Sequence, residues 1–113
     1  MKVLNVLFSS NEWNPGPTAL STVITNGCCG FFNISRANVR TSDLIRIWSE
    51  GETNVFEKLI VYTAPVTGTR QTKWNGRMRT IIEFDTNESE WDDSGPERPV
   101  FNRNGWAFTE EEE

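Results

Sequence analysis

A chain of 113 residues suits one compact domain and leaves no room for two. Sixteen acidic against eleven basic residues give a net charge of -5, and there is no histidine. That composition excludes Ser-His-Asp and Cys-His catalysis and every His-containing zinc site, and two cysteines cannot complete a four-cysteine site.

Residues 3–8 form a short apolar run, Val-Leu-Asn-Val-Leu-Phe, that reads as a buried strand. With one positive charge and six apolar positions, the N-terminal stretch falls short of a secretory h-region of roughly 7–15 residues. No run approaches the roughly 20 apolar residues of a membrane span. The expectation is a soluble cytoplasmic protein with no membrane partner. Asn14-Pro15-Gly16-Pro17 must turn, because two prolines bracket a glycine. Thr18 then suits the cap of a short helix over Ala19 to Thr25, closed by Asn26-Gly27. The β-branched Thr22, Val23, Ile24 and Thr25 favour a strand there instead. Cys28 and Cys29 read as reduced thiols, at least one of them buried. A vicinal redox pair or a disulfide to another subunit are the alternatives. Gly30 to Ser35 is a second short apolar piece. Residues 43–48 fit a strand, although Ser42 also suits the cap of a short helix.

Val55 to Thr63 is a strong strand by composition. Val66 to Trp74 is Thr-rich and extended, and Arg77 to Asp85 is a further strand. Asn75-Gly76 between them predicts a two-residue hairpin turn, because both central residues of that turn need positive φ. From Asn87 to Pro99 the chain is polar and acidic. Val100-Phe101 and Trp106-Ala107-Phe108 offer apolar anchors, and Glu110 to Glu113 reads as a solvated acidic tail after a domain over 1–109. The fold class expected is mainly β, or β-rich α+β. It would be a small single domain with an antiparallel sheet, sandwich or barrel and one or two short helices at most.

The two-residue turn sets a register. Trp74 faces Arg77, Lys73 faces Met78, Thr72 faces Arg79 and Arg70 faces Ile81. One hairpin face then carries Arg70, Thr72, Trp74, Arg77, Arg79 and Ile81. The other carries Gln71, Lys73, Met78, Thr80, Ile82 and Phe84 and is expected to look inward. Guanidiniums grip phosphate through forked donors and an indole stacks a base, so Arg70, Trp74, Arg77 and Arg79 are candidate nucleotide or oligonucleotide contacts. A face that pairs with the chain's own acids, Glu83 and Asp85, explains the same residues.

Charge is divided along the chain. Residues 1–82 balance to +4 and residues 83–113 to -9. In the acidic third Glu88, Glu90, Asp92, Asp93 and Glu97 surround Trp91. Such spacing imitates phosphates and suits a protein partner with a basic nucleic-acid-binding groove. The segment could instead be a solubilising surface, or fold back on Arg36, Arg40, Arg46 and the hairpin arginines. Asp85 to Glu90 lacks the glycine and final glutamate of an EF-hand loop, so no metal site is expected.

Glu12-Trp13-Asn14-Pro15-Gly16-Pro17 resembles the end of viral ribosome-skipping peptides, whose core is Glu-x-Asn-Pro-Gly-Pro. Ser10 stands where those peptides usually have aspartate, which marks the match as coincidence. In general character, a small, acidic, ring-rich domain without a catalytic constellation is similar to phage-encoded inhibitors of bacterial defence. That comparison implies a non-catalytic binding protein, without cofactor, acting in the host cytoplasm by masking a site on a macromolecular partner through Glu88, Glu90, Trp91, Asp92, Asp93 and Glu97. The alternatives are nucleotide or oligonucleotide binding by the Arg-Trp hairpin, with a sequestering oligomer possible, and a structural virion or assembly component.

Overall fold

The computed structural model describes residues 1–8, 25–49, 60–74, 76–92, 99–103 and 105–111. They form seven strands, one bounded helix and the end of another at Thr25 and Asn26: β1 (Lys2–Phe8), β2 (Cys28–Phe32), α1 (Arg36–Arg40), β3 (Leu44–Ser49), β4 (Ile60–Trp74), β5 (Arg77–Phe84), β6 (Glu90–Asp92) and β7 (Trp106–Glu110). The expected β-rich domain is therefore observed, and its sheet is mixed. The strand order is β2-β5-β4-β3-β1-β7, with β6 added to β4. β1 runs parallel to β3, while the other pairs are antiparallel.

The parallel pair is possible because β1 is buried on both faces. Val3, Leu4 and Val6 are fully buried, and Asn5 is buried between them. The main core lies on one face of the sheet. It gathers Leu4 and Val6, Ile45 and Ile47, Tyr62 and Ala64, and Ile82 and Phe84, closed by Ile34 and by Val39 from α1. Trp106 and Phe108 pack against its margin, their rings 5.4 Å apart and edge-on. The sheet curls enough for Trp106 of β7 to donate from its indole to the Asn33 carbonyl, just beyond β2, at 3.1 Å.

The opposite face buries Val3, Asn5, Trp48 and Val61. Asn5 is the centre of a small polar network there. Its oxygen accepts from the Trp48 indole at 3.0 Å. Its amide donates to the Thr109 hydroxyl at 2.9 Å and to the Ala107 carbonyl at 3.3 Å. Three strands are thus tied through one buried side chain, with each of its polar atoms partnered. Phe101 meets Trp48 edge-on at 6.4 Å, as an apolar anchor should. Its neighbour Val100 is 93% exposed and anchors nothing.

Several boundaries differ from the sequence reading. Residues 44–49 are a strand, and Ser42 caps no helix; its hydroxyl donates to the Asn38 carbonyl behind it. The helix lies earlier, where the Ser35 side chain accepts from the Asn38 N–H. Thr25 and Asn26 are helical, and Gly27 at φ 66° turns the chain into β2, which fits the helix closed by Asn26-Gly27; residues 18–24 lie outside the described ones. So do the turn over 14–17 and residues 55–59 of the strand expected before Thr63. The two strands expected on either side of Pro65 are one continuous strand, β4. The Pro65 carbonyl accepts from Asp85, so its ring nitrogen faces the connection between β5 and β6, where no ladder bond is interrupted. Glu110 and Glu111 are not a loose tail. Glu110 ends β7, and Glu111 forms a 2.7 Å ion pair with Arg46, whose side chain is only 12% exposed. That contact realises one part of the expected folding back of the acidic third.

Candidate functional site

β4 changes partners along its length. Residues 60–65 pair with β3, residues 61–63 also pair with β6, and residues 66–74 pair with β5 across a register shift between Val66 and Gly68. The second half of β4 and β5 make a long hairpin whose register is the one the Asn-Gly turn dictates: Trp74 opposite Arg77, Lys73 opposite Met78, Thr72 opposite Arg79 and Arg70 opposite Ile81. Gly76 has φ 78°, as the turn requires, while Asn75 lies outside the described residues.

The faces are distributed less simply than expected. Thr80, Ile82 and Phe84 are buried on the inner face. Met78, on the same face, is 52% exposed. The reason is β2, whose last register partner on β5 is Thr80, opposite Phe32. Beyond that point no further strand flanks the hairpin among the described residues, where it continues as a two-stranded ribbon. Ile81, placed with the arginines by alternation, is also buried.

The ribbon is cationic. Residues 60–82 contain Arg70, Lys73, Arg77 and Arg79 and no acid. At its base Arg70 lies 4.0 Å from the Glu83 carboxylate and 4.0 Å from the Cys28 sulfur. Arg70 is 57% exposed and Glu83 44%, so that pair is worth at most about 1 kcal/mol. Farther out, among the described residues Arg79 donates only to the neighbouring Met78 carbonyl, at 3.4 Å. Among the described residues Lys73 and Arg77 have no hydrogen-bond or ion-pair partner. Self-pairing with Glu83 therefore accounts for Arg70 and not for the three outer cations. Cys28 is a free, half-buried thiol.

The acidic candidates sit elsewhere. Asp85 accepts from the Asn87 N–H at 2.9 Å and caps a 3-10 turn over Thr86–Glu88. Glu88 and Glu90 are exposed. Backbone register sets Glu90, Trp91 and Asp92 opposite Thr63, Tyr62 and Val61, while Asp93 and Glu97 lie outside the described residues. β6 thus borders the first half of β4, and the basic ribbon ends at its far tip. From Thr63 to Thr72 an extended strand spans at most about 30 Å. The Tyr62 phenol beneath β6 has its pKa raised above 10.0 by burial; a hydrogen bond with Ser89 lowers it, and the Asp85 charge raises it further.

Among the described residues no group of three or more Cys, Asp or Glu side chains is placed to hold a metal, and no helix is long and apolar enough to cross a membrane. Arg70, Arg77 and Arg79 are brought onto one hairpin as the sequence suggested, with Trp74 in register beside them. Lys73 was missed as a site residue. Its assignment to an inward face followed from alternation alone, and only the end of β2 reveals that this stretch has left the sheet. Comparison with protein-family models, curated proteins and solved structures finds no match to this chain.

Proposed function

We propose that this chain is a non-catalytic binding protein whose β4–β5 hairpin holds the phosphates of a nucleic acid or nucleotide. One observation carries the reading: the outer hairpin cations Lys73, Arg77 and Arg79 have no carboxylate partner among the described residues, although the chain as a whole is acidic. Cations without a carboxylate partner among the described residues are available to an external anion. Arg supplies paired donors to phosphate, and Lys a point charge. Such a protein would act in the cytoplasm, that of the host if phage-encoded. The test is a thermal-shift and anisotropy screen of mononucleotides, cyclic nucleotides and oligonucleotides against the wild type and the Arg77→Glu, Arg79→Glu double variant. Binding by the wild type and its loss in the variant support the reading; no ligand at all rejects it.

A second reading assigns partner masking to the acidic strand β6 and its flanks, in the manner of inhibitors that occupy a basic groove. The exposure of Glu88 and Glu90 favours it. Reversal of those two residues to lysine should then abolish capture of a basic protein partner and leave nucleotide binding untouched.

A further inference from the structure

We infer that the distal hairpin enters the major groove of B-form duplex DNA as a two-stranded ribbon. This inference rests on the nucleic-acid reading above and narrows it to one ligand class. Its first support is the two-stranded character of the distal hairpin. β2 accompanies β5 only as far as Thr80, so residues 72–74 and 77–79 have no further strand neighbour among the described residues. Three residues of strand rise about 10 Å, enough to reach the floor of a groove about 8.5 Å deep, and the groove, about 12 Å wide, admits a two-stranded ribbon.

The second support is the placement of cations on both faces. Arg77 and Arg79 share a face with Thr72, and Lys73 shares the opposite face with Met78. Both Lys73 and Met78 are exposed. A single strand or a stacked nucleotide meets one face of a ribbon. A groove presents phosphates along two walls, so Lys73 and the arginines are engaged together there.

The third support is the charge of the rest of the molecule. Outside residues 60–82 the chain carries seven basic and sixteen acidic residues. A polyanion laid flat along that body is repelled, whereas end-on entry of the ribbon keeps the body away from the phosphates.

The experiment uses the full chain and a labelled mixed-sequence DNA duplex of about two helical turns. Its single strand and a duplex RNA of the same sequence are the comparisons, read by anisotropy at about 50 mM and about 200 mM salt. The DNA duplex should bind at least about tenfold tighter than either comparison, because A-form RNA has a major groove too narrow for side chains to read. Lys73→Ala and Arg79→Ala should each weaken duplex binding about tenfold at the lower salt and reduce the salt slope by about 0.9. Lys73→Arg should restore binding, and a thermal melt of each variant establishes that it is folded. Should Lys73→Ala fail to fold, Lys73→Gln replaces it. Equal or tighter binding of the single strand, or an unaltered affinity after Lys73→Ala, overturns the groove while leaving the nucleic-acid reading intact. Displacement of the duplex by polyglutamate at equal charge concentration assigns the ribbon to an acidic protein and overturns the inference. Absence of binding to all three nucleic acids removes both the inference and the reading beneath it.

Discussion

Replacing Asn5 by leucine tests whether the buried polar network holds the sheet together. The substitution keeps the number of side-chain heavy atoms and opens no cavity, so the loss it reads is one of partners. The Trp48 indole N–H, bonded to the Asn5 oxygen at 3.0 Å, is left buried without an acceptor, at a cost of about 1–3 kcal/mol. The bond from the Asn5 amide to the Thr109 hydroxyl is also lost, which adds about 1 kcal/mol. The expected destabilisation is about 2–4 kcal/mol, a large part of the 5–15 kcal/mol or so that a domain of this kind possesses. Trp48→Phe alone should destabilise too, because it strips the Asn5 oxygen of its donor and reduces buried ring area. The double variant should recover at least about 1 kcal/mol relative to the sum, since no orphaned indole remains. Urea unfolding followed by far-ultraviolet circular dichroism measures all four proteins without relying on tryptophan emission. Additivity of the two substitutions within about 0.5 kcal/mol would show that the indole–amide bond contributes no coupling, and the network argument would fall.

Gly76 at φ 78° has nothing among the described residues within 4 Å of an added Cβ, so Gly76→Val should cost about 1 kcal/mol through backbone strain alone, and Gly76→Asn much less; urea midpoints compare them. Deleting Glu111 to Glu113 removes the carboxylate partner of the largely buried Arg46, leaving its Nε bond to the Thr63 hydroxyl, and should destabilise by about 1–2 kcal/mol, while Arg46→Met in the same deletion should recover part of the loss, as read from chemical denaturation. The chain has a single tyrosine, so ultraviolet titration of phenolate reads Tyr62 alone. Its folded pKa lies above the unfolded value of 10.0. The associated stability is therefore complete below pH 10 and is lost as pH rises from there through the folded pKa. Titration at the ordinary value in the folded protein would refute this.

The legible parts of this molecule were those decided locally. Asn75-Gly76 dictated the hairpin register residue by residue, and with it the grouping of Arg70, Arg77 and Arg79. The apolar runs at 3–8, 43–48 and 77–85 announced β1, β3 and β5. What escaped depended on distant partners. Glu90, Trp91 and Asp92 have no apolar alternation and become a strand only because β4 offers them an edge. Four glutamates in a row read as solvated, yet β1 pairs with Glu110 and Arg46 holds Glu111. The parallel pairing of β1 with β3 also left no mark in periodicity, because a strand buried on both faces does not alternate. Lys73 was misassigned for the complementary reason: alternation continued past the point where the neighbouring strand stopped.

The position of β1 between β3 and β7 has a consequence for synthesis. β1 is made before both of its neighbours, and one of them comes from residues 106–110. At about 5–20 residues per second, roughly 5–20 s pass before that neighbour exists. For that time the apolar edge formed by Val3, Leu4 and Val6 lacks its second partner, and an unsatisfied edge of this kind pairs readily with strands of other chains. Conditions that slow elongation should therefore lower the soluble yield, and a holdase that binds short apolar extended segments should raise it.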